Sequence, residues 1–407
     1  MKRKTLYVLI TAAVCALTLL VFSFIFDFWS QAPEDRVVKV GFVFAEDEIT
    51  PYTANFFQAQ KEMQDSLGDK VQVMTLSNVP NKEVEEPVRE LIRKGCDLII
   101  MNDEGSVPSD LAREFPNIQF CQISSENVSA EGKTANYHTF NGEIYEGRYV
   151  SGIAAGMKLR ELMDSGAIKP EEAKVGYIAP KVCSEAISGW TAFLLGVHTA
   201  APEAVLQVKY TDSWSSYGRE KQCARELIEE GCLVITHHTN TSAAASVCQT
   251  AAESGKTVYY IGYNQSMMDI APTAALVSVR INWAPYITGA ARAVLTRKEI
   301  EKTVPGNVHG RDMSGGFSRG WVDVAEINSS TVAPGTEEAI NQAIDQLSRG
   351  KLEIFKGNYT GTDPENPGDT IDLKEGYREN KDSSCASFHY ILDKYVTVSP
   401  VGQKPAR

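Results

Sequence analysis

Residues Leu233 to Ala244 read LVITHHTNTSAA, an apolar run that turns abruptly polar. Two adjacent histidines at a strand end could ligate a metal, move a proton or bind a ligand. Adjacent residues of an extended strand point to opposite faces, so His237 and His238 cannot both reach one ion. The remaining histidines, His138, His198, His309 and His389, show no ligand spacing. HExxH, GxSxG, a Walker A loop and a GxGxxG opening a helix are all missing from the sequence. No catalytic residue, metal or cofactor is therefore expected. What remains is hydrogen bonding: His238, Thr239 and Asn240 form a polar loop, and His237 packs on the other face.

Aromatic and amide residues recur in the same setting, just after apolar runs. YTDSWSSY carries Trp214, IGYN carries Asn264, and INWAPY carries Asn282 and Trp283. Near the start of the body, EDEITPYTANF carries Asp47, Tyr52 and Asn55. Indole offers a flat apolar face to a planar ligand. The Asn amide offers a donor and an acceptor side by side, the pattern that pairs with an adenine edge. A pocket for a planar, polar-edged small molecule is the expectation.

Elements must bring these residues together. Apolar runs start at Val37, Val71, Asp97 and Ile118, and again at Lys174, Val205, Cys232, Thr257 and Ala275. Stretches of helical spacing such as Lys82–Lys94 and Tyr217–Glu230 separate them, which predicts α/β architecture with parallel sheets. RELIRKGCDLIIMNDE from Arg89 and RELIEEGCLVITHHTN from Arg225 share seven identities at a constant offset of 136. That register predicts an architectural duplication, two lobes whose sheets present equivalent strand ends. Ligands of such sheets bind beyond the carboxyl ends of the strands. The offset sets His238 against Asn102 and Thr239 against Asp103, so both join the candidate wall.

The chain of 407 residues accommodates two domains. Its formal net charge of −12 and lack of a basic stripe exclude nucleic acid as a partner. After MKRK, Thr5 to Phe26 carries no charge. That span exceeds the apolar core of a cleavable signal and suffices to cross a bilayer as a helix. A membrane anchor at residues 5–26 with an exported body is expected. Eight cysteines are present, Cys15 within the anchor, and there is no CxxC. Cys96 and Cys232 open apolar runs and read as small buried hydrophobes.

Longer stretches carry a resemblance. YEGRYVSGIAAGM from Tyr145, VGYIA from Val175, AFLLGVHTAAPEAVLQV from Ala192 and TDSWSSYGREKQCARELIEEGC from Thr211 resemble the basic membrane protein (PnrA-like) family. HTNTSAA from His238, IGYNQSMMDIAP from Ile261, INWAPY from Ile281, GWVDVAEI from Gly320 and IFKG from Ile354 continue it in order. These are substrate-binding proteins of ABC transporters. The resemblance implies a two-lobed type I periplasmic-binding-protein fold, each lobe a parallel sheet flanked by helices, here with an N-terminal transmembrane helix. It implies residues 1–33 as anchor or signal, 34–140 plus about 280–325 as the first lobe, about 141–279 plus about 326–356 as the second, and 357–407 as an extension. It implies capture of a purine nucleobase or nucleoside for an ABC permease. His-Thr-Asn at 238, Gly-Tyr-Asn at 262 and Asn-Trp at 282 resemble the adenine-like branch. Nucleoside-binding members carry an Asp where this chain has Asn264, which favours a free base. A sensor or sugar receptor of the same fold, or an enzyme acting on nucleosides, is the alternative. Two departures stand out. Val14 precedes Cys15 where a lipobox has a small residue, and Pro51, beside Tyr52, stands where the branch often has Trp.

Overall fold

The computed structural model describes residues 36–102, 109–124 and 134–403. The first lobe begins with β1 (Val38–Val43), β2 (Val71–Leu76), β3 (Leu98–Met101), β4 (Gln119–Ile123) and β5 (Tyr137–Gly142). The second begins with β6 (Lys174–Ala179), β7 (Val205–Tyr210), β8 (Val234–His237), β9 (Tyr259–Tyr263) and β10 (Ala275–Ile281). The chain then returns to the first lobe with β11 (Asn307–His309) and β12 (Asp312–Gly315) and to the second with β13 (Val322–Ile327). The hairpin of β14 (Thr360–Thr362) and β15 (Thr370–Asp372) precedes β16 (Val396–Pro400). One sheet runs β11-β12-β5-β4-β3-β1-β2 and the other β13-β10-β9-β8-β6-β7-β16.

The first five strands of each sheet are parallel and follow the same spatial order. Strands such as VKVGFV are apolar nearly throughout because helices cover both faces. The repeat seen in the sequence is a repeat in three dimensions. Helices Glu85–Arg93 and Tyr217–Glu229 both end in a Schellman turn. Cys96 N–H donates to Leu91 O and Gly95 N–H to Ile92 O; Cys232 donates to Leu227 O and Gly231 to Ile228 O. Gly95 (φ +83°) and Gly231 (φ +88°) take the left-handed conformation that this turn requires. Cys96 and Cys232 are buried and form no disulfide among the described residues.

The chain passes between the lobes three times: after β5, after β10 and after β12. The long helix Ile144–Asp164 follows the first crossing and packs on Ser184–Val197 in the second lobe. The helix Ala284–Thr296 follows the second crossing and packs on Pro51–Leu67 in the first. Residues beyond 357 add β16 to the edge of β7. Among the described residues no helix is long and apolar enough to cross a membrane. The anchor expected at residues 5–26 lies outside them.

Candidate functional site

On the first lobe, β1 runs into a loop that holds its own polar groups. Ala45 N–H donates to Asn102 Oδ1 at 3.0 Å, and Asn102 Nδ2 lies 3.4 Å from Thr53 Oγ1. The Tyr52 hydroxyl donates to the Asn102 carbonyl at 3.0 Å. Asn102 thus ties the end of β3 to the start of the helix Pro51–Leu67 and is nearly fully buried. That helix turns Asn55 towards the other lobe. Asn55 Nδ2 donates to Asn264 Oδ1 at 3.3 Å, and its Oδ1 accepts from Gln265 Nε2 at 2.6 Å.

On the second lobe, the end of β8 sends its two histidines to opposite faces, as an extended strand must. His237 stacks on Tyr260 and has Nε2 2.7 Å from that hydroxyl. His238 has Nδ1 2.8 Å from the Tyr177 hydroxyl and Nε2 3.6 Å from Glu185. It rests on Gly189, where a Cβ would lie 2.7 Å from Nδ1, so only glycine fits beneath the imidazole. The Trp214 ring meets His238 edge-on at 6.3 Å, and Tyr263 meets it edge-on at 5.2 Å. Trp214 O accepts Asn240 N–H at 2.8 Å, which joins the loops after β7 and β8. Thr239 Oγ1 lies 3.4 Å from His237 Nδ1.

The electrostatics are those of a buried wall. Burial and the charge of Arg148 pull His237 down to about 3, and the same two causes hold His238 well below its ordinary value. Both imidazoles are neutral at pH 7. Arg148 lies fully buried with its guanidinium carbon 3.8 Å from the centre of the Tyr263 ring. Its nitrogens have no partner of hydrogen-bonding geometry among the described residues. Asn264 Nδ2 is likewise unpartnered, on a residue at φ +69° that is almost wholly buried.

The structure therefore gathers Tyr52, Asn55, Asn102, Trp214, His238, Thr239, Asn240 and Asn264 at the strand ends of the two lobes. Others go elsewhere. The Asp47 carboxylate turns back on Ile49 N–H at 3.1 Å. Asn282 turns its amide onto backbone, Oδ1 accepting Ala284 N–H while Nδ2 donates to Gly320 O. Trp283 sits in the first lobe's core, stacked on Phe56 at 4.7 Å, because its helix buries its first turn. Asp103 lies outside the described residues. Sequence reading passed over Arg148, Tyr177, Tyr263 and Gln265. A lone arginine amid the small apolar residues of GRYVSGIAAG was the available signal for the first. Asp363, Asp369 and His389 place ligand atoms within 4.8 Å of one another, but in the C-terminal segment and not at this wall.

Known proteins agree with this architecture. Residues 40–332 match the family described as ABC transporter substrate-binding protein PnrA-like. A purine-binding protein of Brucella abortus is 30% identical over 334 residues, 80% of this chain and 85% of that one. A putative ABC transporter glucose-binding protein of Haloferax volcanii is 27% identical over 61% of this chain and 56% of its own. An ABC transporter solute-binding protein from Conexibacter woesei superposes with a TM-score of 0.59 at 16% identity, covering 78% of this chain and 98% of the other. A transcriptional activator from Bacillus halodurans gives 0.59 at 18%, covering 77% and 99%. Those two likenesses speak for the fold alone. The family match spans most of the chain, and its members bind substrates for transporters outside the cytoplasm and are not enzymes. The chain belongs to the PnrA-like family of ABC transporter substrate-binding proteins.

Proposed function

We propose that the chain captures a purine nucleobase, adenine-like, between its lobes and delivers it to an ABC permease, tethered to the membrane by residues 5–26. One observation supports this reading above the rest. Asn264, buried beside Tyr263 and bonded across the lobes to Asn55, keeps one amide donor unpartnered. An amide edge beside aromatic rings suits the polar rim and flat face of a base. The Brucella relative is described as purine-binding. Asn264, in place of an Asp, favours a base over a nucleoside.

A thermal-shift screen of nucleobases, nucleosides and sugars on the purified full chain tests the reading. A ligand present at about 100 times its Kd adds roughly 2.7 kcal/mol to stability. Purine bases should raise Tm by several degrees. A rise with sugars alone would overturn the proposal. Released base on incubation with a nucleoside would indicate an enzyme instead.

A further inference from the structure

The family match ends at residue 332, yet the segment beyond it reaches the cleft. Its root lies in the second lobe. Phe388 is fully buried, stacked on Phe355 at 4.7 Å and edge-on to Tyr377, and β16 extends that lobe's sheet. Glu379 fastens both ends of the loop 379–388 there. Its carboxylate accepts Ser188 Oγ at 2.8 Å from the helix Ser184–Val197, Ser387 N–H at 2.5 Å and Phe388 N–H at 3.0 Å. Asn380 Nδ2 donates to the carbonyls of Ser383, Ser384 and Cys385, which holds the loop in a tight turn.

The tip of that loop lies in the other lobe. Ser384 N–H donates to Asp312 Oδ2 and Ser384 Oγ to Asp312 Oδ1, both at 2.6 Å. Ser383 Oγ adds a third bond to Oδ2 at 3.1 Å. Ser384 Oγ also meets Ser124 Oγ, just after β4. Asp312 belongs to β12 and is 8% exposed. Thr139 Oγ1 on β5, within the same lobe, also donates to Asp312 Oδ1. Gly142 at the end of β5, Glu185 and Gly189 of the second lobe, and Asn380, Ser384 and Ala386 of the loop line one small cavity. Gly189 is the residue that His238 rests on, so the loop walls the cleft on the side of the candidate site.

We propose that residues 379–388 are a latch on the cleft: rooted in one lobe and bonded to Asp312 of the other, they let the lobes part only when Ser383 and Ser384 let go. Hydrogen bonds to a carboxylate are about twice as strong as those between neutral groups. Hinge opening displaces one lobe bodily against the other, so a segment bonded to both must yield at its weaker end. A bond from Ser188, a phenyl ring buried against Phe355 and the chain's continuation into β16 hold the root, whereas the tip is held by polar contacts alone. The tip is therefore the end that releases.

Hydrogen exchange on the full chain, read by mass spectrometry without any ligand, tests the latch. It needs no assumption about purines. In Asp312→Asn and in Ser384→Ala, amides of Asn141–Tyr145 and Ser184–Gly189 should exchange about tenfold faster, roughly what losing one bond to a charged group allows. Amides of Leu98–Met101 and Val234–His237, in the sheet centres, should keep their rates. The double variant should fall short of the sum of the two single effects, because both changes remove the charged bond from Ser384 Oγ to Asp312. Unchanged exchange at the cleft in folded variants would overturn the latch. So would an equal acceleration in the sheet centres, which would mark general destabilisation.

Discussion

Trp214 is the residue on which ligand affinity should turn most visibly. It is half-buried at the end of β7, edge-on to His238 and fixed through its carbonyl to Asn240. If its indole flanks the base, Trp214→Ala should weaken purine binding by about 10- to 1,000-fold through lost stacking and buried area. Trp214→Phe should keep much of the affinity. Unchanged affinity in a folded Trp214→Ala variant would return the ring to mere packing. Two buried groups should also leave opposite marks on stability. His237 is drawn down to about 3, so the unfolded chain takes up a proton near pH 6.5 that the folded chain refuses. Its contribution is complete above pH 6.5 and is lost as pH falls towards 3. Glu146 is pushed up to about 7 by burial and by Glu143. Its contribution is complete below pH 4.5 and is lost as pH rises through 7. The fall in Tm from pH 7 to pH 5 should therefore be smaller in His237→Gln than in the wild type, and larger in Glu146→Gln. Equal falls in all three would contradict these assignments. His238 was legible as a polar strand end, but its partners Tyr177 and Glu185 come from distant elements that only folding brings near it.

At the scale of elements, the duplicated helix–glycine–strand unit makes a paired prediction. Gly95→Ala and Gly231→Ala each place a Cβ on a left-handed residue of an equivalent turn. Each should cost about 1–2 kcal/mol, and denaturant melts should show similar losses; a neutral effect at both would remove the turn from the account. The apolar runs announced β1 to β4 and β6 to β10 because both faces of each strand are covered. Others were hidden by composition. β5 reads YHTFNG, and its polar residues are satisfied inside, with His138 between Gln119 and Glu301 and Thr139 on Asp312. β12, DMSG, is too short and small to show a pattern. β16 alternates as an edge strand should, but nothing local says that it joins β7. Trp283 was ambiguous for a related reason. A tryptophan after a strand end has the same spacing whether its helix faces the cleft or the core, and here it faces Phe56.

The whole molecule is two matched lobes, and Asn55 makes two of the side-chain hydrogen bonds that join them. Asn55→Ala should loosen closure and weaken purine binding by roughly 3- to 30-fold, as losing one or two modest hydrogen bonds allows. Affinity equal to the wild type would show that closure does not depend on it. Mass spectrometry of membrane-derived protein should find an N-terminus near Met1 if residues 5–26 remain as the tether; a diacylated Cys15 would contradict that. The central claim is purine capture, and calorimetric titration of the purified full chain with adenine tests it most directly. Adenine has about ten heavy atoms, which permits roughly −8 kcal/mol. The account expects saturable binding of one adenine per chain with Kd micromolar or tighter, and weaker binding of adenosine. No heat with any purine base or nucleoside, alongside saturable binding of a sugar, would contradict it.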